Sequence, residues 1–210
     1  MKQKKSKMNL PNKLTVLRIC LVPVFIVVMM LPGTVMPTLY SAILGAALFV
    51  IASLTDMLDG KIARKYNLVT DFGKLMDPLA DKFMVIGAMT AIVYRAVGKH
   101  QAMFIIVLLV VVFRELAVTS MRLVASSSAG KVVAANLMGK IKTVTQIIFV
   151  VVAILESEIY AIASVDSLLP AWWVENIPLS YFFAVLTGFF TVVSGINYLT
   201  GMWKYLDPEK

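Results

Sequence analysis

Asp56-Met-Leu-Asp59-Gly60-Lys-Ile-Ala63-Arg64, followed after eight residues by Gly73-Lys-Leu-Met-Asp77-Pro-Leu-Ala-Asp81, sets four carboxylates in an otherwise strongly apolar chain. Asp56 and Asp59 are spaced i, i+3, and Asp77 and Asp81 i, i+4, so each pair shares one face of a helix. A helical hairpin can point both faces at one spot. Four carboxylates there could not all ionise without counter-charge, and charge at a membrane helix end is costly unless it meets protein, water or a cation. Ordinary pairing with Lys61, Arg64, Lys74 and Lys82 would serve for one aspartate, but matched pairs point to a shared cation.

Working outward, the 210 residues are 60% hydrophobic and only 15% charged, with a mean hydropathy of +0.85. Soluble domains run nearer ~45–50% apolar and ~25% charged, so a soluble fold is excluded. A membrane-crossing helix needs about 20 residues, and six apolar stretches qualify, at 14–31, 38–63, 75–97, 102–124, 144–163 and 179–203. Pro32, Gly33 and Pro37, then Asn67 and Gly73, Gly98, Ser126 to Ser128 with Gly130, and Pro170 and Pro178 punctuate them. The expected fold is an all-α integral membrane protein, a six-transmembrane-helix bundle. Residues 1–13 form a basic juxtamembrane segment, 14–204 a single six-helix domain, and 205–210 a tail.

The net charge of +8 sorts by membrane side. With the N-terminus in the cytoplasm, 18 of the 20 Lys/Arg residues fall on cytoplasmic segments or helix ends, leaving Arg95 and Lys99 outside. That asymmetry follows the positive-inside rule and puts both termini and the aspartates on the cytoplasmic side. Lys2, Lys4, Lys5, Lys7 and Lys13 then attract anionic lipid rather than nucleic acid. No convincing cleavage site follows the first apolar stretch, so it is read as a span. Between 156 and 175 lie Glu156, Glu158, Asp166 and Glu175 with no cation, beside the interfacial pair Trp172 and Trp173.

Cys20 and His100 are single, which excludes an intrachain disulfide and a Cys/His zinc site. Any metal must take oxygen ligands, as Mg²⁺ does while leaving room for phosphate oxygens, and two metals would suit displacement at phosphorus. Gly60, Ala63 and Gly73 leave space for a ligand near the backbone; Gly45, Gly87, Gly188 and Gly195 are expected to serve helix packing. In the fourth span Arg114-Glu115 is followed by Arg122, and Gly139-Lys140-Ile-Lys142-Thr143 opens the fifth. Arginine inside an apolar span marks a functional site by default, and cations converging from two helices suit a phosphate. A cation carrier would also use intramembrane aspartates, but near the midplane between paired repeats; here they sit at one face and no repeat is visible.

From Asp56 to Asp81 the chain matches without departure the signature D-x-x-D-G-x-x-A-R-x8-G-x-x-x-D-x-x-x-D, and so resembles the CDP-alcohol phosphotransferase family. The resemblance implies transfer of a substituted phosphate from a CDP-linked donor to an alcohol, with release of CMP. It makes Asp56, Asp59, Asp77 and Asp81 ligands of Mg²⁺ or Mn²⁺, two ions in all. Asp81 becomes the general base, and Asp56, Asp59, Gly60, Ala63, Arg64 and Gly73 form the cytidine nucleotide site. The opening Asn12-Lys-Leu-Thr15-Val-Leu-Arg18, the Arg-Glu pair and Gly139 to Gln146 resemble the bacterial members that join CDP-diacylglycerol to sn-glycerol 3-phosphate. On that likeness Arg114, Arg122, Lys140 and Lys142 would hold the acceptor phosphate and Thr15 and Arg18 would border the donor site. The alternative within the family is another acceptor, serine, inositol phosphate or phosphatidylglycerol; a neutral acceptor would not require that cationic cluster. The family likeness further implies a homodimer in the bacterial inner membrane, in contact with its lipids.

Overall fold

The computed structural model describes residues 8–66, 68, 70–129, 137–162 and 168–202. Expectations that fall on Lys2 to Lys7, Asn67, Gly130, Ala163, Asp166, Trp203 and the C-terminal tail lie outside them. The described residues form seven helices and no strand: α1 Leu10–Met30, α2 Thr38–Lys65, α3 Asp71–Arg95, α4 Lys99–Ala129, α5 Leu137–Tyr160, α6 Ala171–Asn176 and α7 Pro178–Met202. The short α6 lies between the fifth and sixth expected spans, and α5 begins seven residues before the fifth.

Five helical stretches are long and apolar enough to cross a membrane: Leu10–Met30, Thr38–Lys65, Lys99–Arg122, Leu137–Tyr160 and Ala171–Gly201. The protein is thus multi-pass. Helix α3, the third expected span, is not among them. Its first turns carry Asp71, Lys74, Asp77, Asp81 and Lys82, and the uncharged remainder before Arg95 rises only about 18 Å at 1.5 Å per residue. Large apolar side chains cover the outside, Phe113 being 75% and Val27 60% exposed, as expected where lipid is the solvent.

Contacts divide the chain into two compact units, residues 1–91 and 92–210. In the first, α1 packs along α2. One stripe of α1, Asn12, Thr15, Arg18, Val22, Phe25 and Met29, is buried, polar in its first half and apolar in its second. The apolar half meets Gly45 and Phe49 of α2, and Ala42 and Ala46 of the same helix are buried. A Cβ at Gly45 would strike the Met29 thioether, and one at Gly87 would lie 2.9 Å from Ile26 Cδ1. These two glycines serve packing as expected, whereas a Cβ at Gly188 would meet nothing within 4 Å. Gly98, between α3 and α4, has φ of 59°, a left-handed conformation that glycine adopts without steric cost.

In the second unit α7 packs against α4 and α5, with the Phe104 and Phe149 rings 5.5 Å apart. The start of α7 is held by Glu156 of α5, which is 4% exposed. Its Oε1 accepts the Leu179 N–H at 3.0 Å and the Tyr160 hydroxyl at 2.8 Å. Its Oε2 accepts the Ser180 N–H at 2.6 Å and the Ser180 hydroxyl. A carboxylate is favoured there because free N–H groups and the positive end of the helix dipole meet it. Trp173 Nε1 donates to Tyr160 at 2.7 Å, while Trp172 is 59% exposed. Arg95 pairs with Glu158 at 2.5 Å and Lys99 donates to Asn176 at 2.6 Å. Both cations assigned to the outside therefore have partners.

Candidate active site

The polar half of the α1 stripe and the signature aspartates meet in the first unit. Asn9 caps α1 by accepting the Asn12 N–H at 3.0 Å, and its own amide donates to the Leu68 carbonyl at 2.8 Å. Thr70 caps α3 in turn: its hydroxyl accepts the Gly73 N–H at 3.1 Å and donates to Asn12 Oδ1 at 3.0 Å. Such caps satisfy N–H groups that a helix start leaves free. They also bind the start of α1 to the α2–α3 turn. Gly73 is buried here, and a Cβ on it would stand 3.2 Å from Asn12 Oδ1 and 3.5 Å from Asp77 Oδ2. Gly73 thus serves close packing around Asp77. A Cβ at Gly60 would meet only the exposed Arg64 guanidinium, at 3.7 Å or more, so the space over Gly60 is open.

Further along α1 the same face reaches all four aspartates. The Thr15 hydroxyl donates to Asp77 Oδ1 at 2.6 Å. Arg18, with 0% exposure, extends its guanidinium between α2 and α3. Nη1 lies 2.7 Å from Asp56 Oδ1 and 3.4 Å from Asp81 Oδ1, and Nη2 pairs with Asp59 Oδ2. Arg18 Nε is buried with no hydrogen-bond partner. The Asp59 side chain is nearly buried, while those of Asp56 and Asp81 are 35% and 50% exposed. One edge of the cluster is therefore closed by protein and the other open.

The donor set is all oxygen, which suits a hard divalent cation. Among the described residues, no three acidic, thiol or imidazole side chains form a ready metal site. The Arg18 guanidinium stands among the carboxylates and offsets part of their charge. Asp56, Asp59, Asp77 and Asp81 are the residues that would hold a divalent metal, and their oxygen chemistry suits one.

The second unit holds the other cationic residues. Arg114 Nη1 and Lys142 Nζ both donate to Glu115 Oε1, at 2.9 and 2.7 Å, and Arg114 Nη2 donates to the Ser194 hydroxyl at 2.7 Å. Lys142 is 4% exposed. The Arg114 chain crosses Gly195, where a Cβ would lie 3.3 Å from its Cγ. A cavity of about 390 Å³ between α4 and α7 opens beside it, lined by Phe113, Val118, Thr191 and Val192 among others.

Arg114 and Lys142 are thus brought together, with Glu115 between them. Arg122 instead lies over the Tyr198 ring, 5.2 Å from its centre, with Nε donating to the Tyr198 hydroxyl at 3.0 Å. Lys140 is exposed. The reading of the sequence missed Ser194, Thr70 and the cap at Asn9. Asn9-Leu-Pro11 and Thr70 before α3 carry ordinary helix-start signals, whereas nothing local marks Ser194. Cys20 is exposed in α1 and makes no disulfide.

Comparison with known proteins bears on the whole chain. The family model described as CDP-alcohol phosphatidyltransferase matches residues 8–196. A CDP-diacylglycerol–glycerol-3-phosphate 3-phosphatidyltransferase of Bacillus subtilis (strain 168) is 42% identical, over 96% of this chain and 98% of its own. A protein of the same name from Rickettsia felis is 34% identical over 94% of this chain and 97% of its own, and another from Pseudomonas fluorescens 29% over 96% and 94%. The match spans the aspartate cluster, the α1 residues that embrace it and the Arg114 cluster alike, and the chain belongs to the CDP-alcohol phosphatidyltransferase family.

Proposed function

We propose that this protein transfers the phosphatidyl group of CDP-diacylglycerol to sn-glycerol 3-phosphate, giving phosphatidylglycerol phosphate and CMP, as a bacterial phosphatidylglycerophosphate synthase. The observation that carries the reading is the gathering of Asp56, Asp59, Asp77 and Asp81 on one face of α1. It is supported by relatives of that printed name which match nearly the full chain. These aspartates would hold Mg²⁺ or Mn²⁺, two ions on the family pattern, and the metal would offset the charge of the donor diphosphate and of departing CMP.

The protein's own groups supply positioning. Asp81, half exposed at the open edge of the cluster, takes the proton of the acceptor hydroxyl. The acceptor oxygen bonds to the phosphatidyl phosphorus as the bond to the CMP oxygen breaks, so no covalent enzyme intermediate is needed. Gly60, Ala63 and Arg64 border the cytidine nucleotide, with Gly73 packed behind Asp77, Thr15 and Arg18 back the donor site, and Arg114 and Lys142 receive the acceptor phosphate, Arg122 and Lys140 adding positive charge from the same two helices. Glu115 holds the first two cations at one point, ready for a phosphate to take them up by charge-assisted hydrogen bonds. The diacyl chains stay in the bilayer while the diphosphate reaches the cytoplasmic interface. On this reading 14–204 is one six-span domain with α3 as the third span, both termini are cytoplasmic, and the enzyme is a homodimer in the inner membrane.

The test is CMP release by purified protein in detergent with CDP-diacylglycerol and Mg²⁺, comparing glycerol 3-phosphate with glycerol, serine and inositol phosphate. Release only with glycerol 3-phosphate, abolished by EDTA, is expected. Release with another acceptor would overturn the Arg114 and Lys142 assignment and keep the family.

A further inference from the structure

Arg18 is fully buried, yet its guanidinium contacts three carboxylates on two other helices: Asp56 at 2.7 Å, Asp59, and Asp81 at 3.4 Å. A buried cation loses its hydration and is retained only where anions replace that hydration. Conversely, four carboxylates brought together by α2 and α3 repel one another unless a cation stands among them. Each side of this arrangement needs the other. The partnership also differs in kind from the Thr15 contact with Asp77, where one hydroxyl meets one oxygen and no charge is offset.

We propose that Arg18 is the resident counter-ion of the aspartate cluster, a positioning residue that holds Asp56, Asp59 and Asp81 together before metal arrives. This rests on the metal-dependent transfer proposed above and adds a division of labour within it. Arg18 supplies permanent positive charge on the closed side of the cluster, and the divalent ions enter from the open side that Asp56 and Asp81 present. The cluster is then assembled in the metal-free protein instead of being created by metal binding. Removing Arg18 should make the fold of the first unit depend on metal, because only metal could then offset the carboxylates.

The experiment is thermal melting of the full-length protein in detergent, in EDTA and in saturating Mg²⁺, for wild type, Arg18→Gln, Thr15→Val, Asp59→Asn and the double variant Arg18→Gln/Asp59→Asn. In EDTA, Arg18→Gln should melt about 10 °C below wild type, as expected when one partner of a buried ion pair is removed. Mg²⁺ should recover most of that deficit, while any loss in Thr15→Val should be the same in both buffers. The double variant should melt above Arg18→Gln in EDTA, since deleting a carboxylate removes part of the charge left unopposed. An equal deficit for Arg18→Gln in EDTA and Mg²⁺, or no gain in the double variant, would overturn the proposal. Should Arg18→Gln fail to fold at all, a folded double variant supports it and an unfolded one refutes it. Melting in EDTA involves neither metal nor substrate, so its failure is separable from a failure of wild-type CMP release.

Discussion

Asp81 sits at the most open point of the cluster and has the longest contact with Arg18, 3.4 Å. Asp81→Asn should therefore lower CMP release by at least about 100-fold, the usual scale of general-base loss, while the melting temperature stays within a few degrees. Near-normal turnover would remove Asp81 from its role. At the Arg114–Glu115–Lys142 cluster, proposed to receive the acceptor phosphate, Lys142→Met should raise KM for glycerol 3-phosphate at least about tenfold, in line with the loss of one charged hydrogen bond, and leave KM for CDP-diacylglycerol nearly unchanged. An equal rise in both constants would count against a phosphate contact. The aspartates could be read in the sequence because i, i+3 and i, i+4 spacings need only a local helix to define a face. What stands among them could not, because Arg18 lies 41 and 63 residues from Asp59 and Asp81, and such pairings depend on helix packing. For the same reason Lys140 and Lys142 look alike in sequence, although one is exposed and the other buried against Glu115.

Among the helices, α7 depends on a carboxylate from another element. Glu156→Gln keeps one acceptor oxygen but turns an amide N–H₂ toward the other of the Leu179 and Ser180 N–H groups. A loss of about 2 kcal/mol is expected, from the upper range for a charge at a helix terminus. That corresponds to roughly 6 °C in melting temperature. Glu156→Gln melting with wild type would show that the cap contributes nothing. Sequence patterning located all of the long helices, yet it placed Glu156 merely in an acidic outer stretch, because a helix start and a carboxylate 24 residues away share no local pattern. Helix α3 shows the opposite case. Its apolar half reads as part of a span and its charged half as part of a site, and the two belong to one continuous helix from Asp71 to Arg95.

At the scale of the molecule, the distribution of Lys and Arg predicts the sidedness of every connection. In a Cys20→Ser background, Thr34→Cys should react with a membrane-impermeant maleimide in intact cells. Leu68→Cys should react only after permeabilisation, and the reverse labelling would invert the topology. The long-range contacts of Arg18 bear on how the chain enters the bilayer. At about 5–20 residues per second of synthesis, the 41 residues separating Arg18 from Asp59 mean a wait of about 2–8 s. During that interval α1 is already available for insertion while its arginine has no carboxylate beside it. Arg18 lies two turns from the start of α1, close enough to the surface for its side chain to reach headgroup phosphates. The nascent first helix would then ride high in the membrane, anchored by lipid, and sink to its final depth only when α2 and α3 emerge with the aspartates. On that reading, gathering the aspartates around Arg18 and seating the amino-terminal helix at its final depth would be one event.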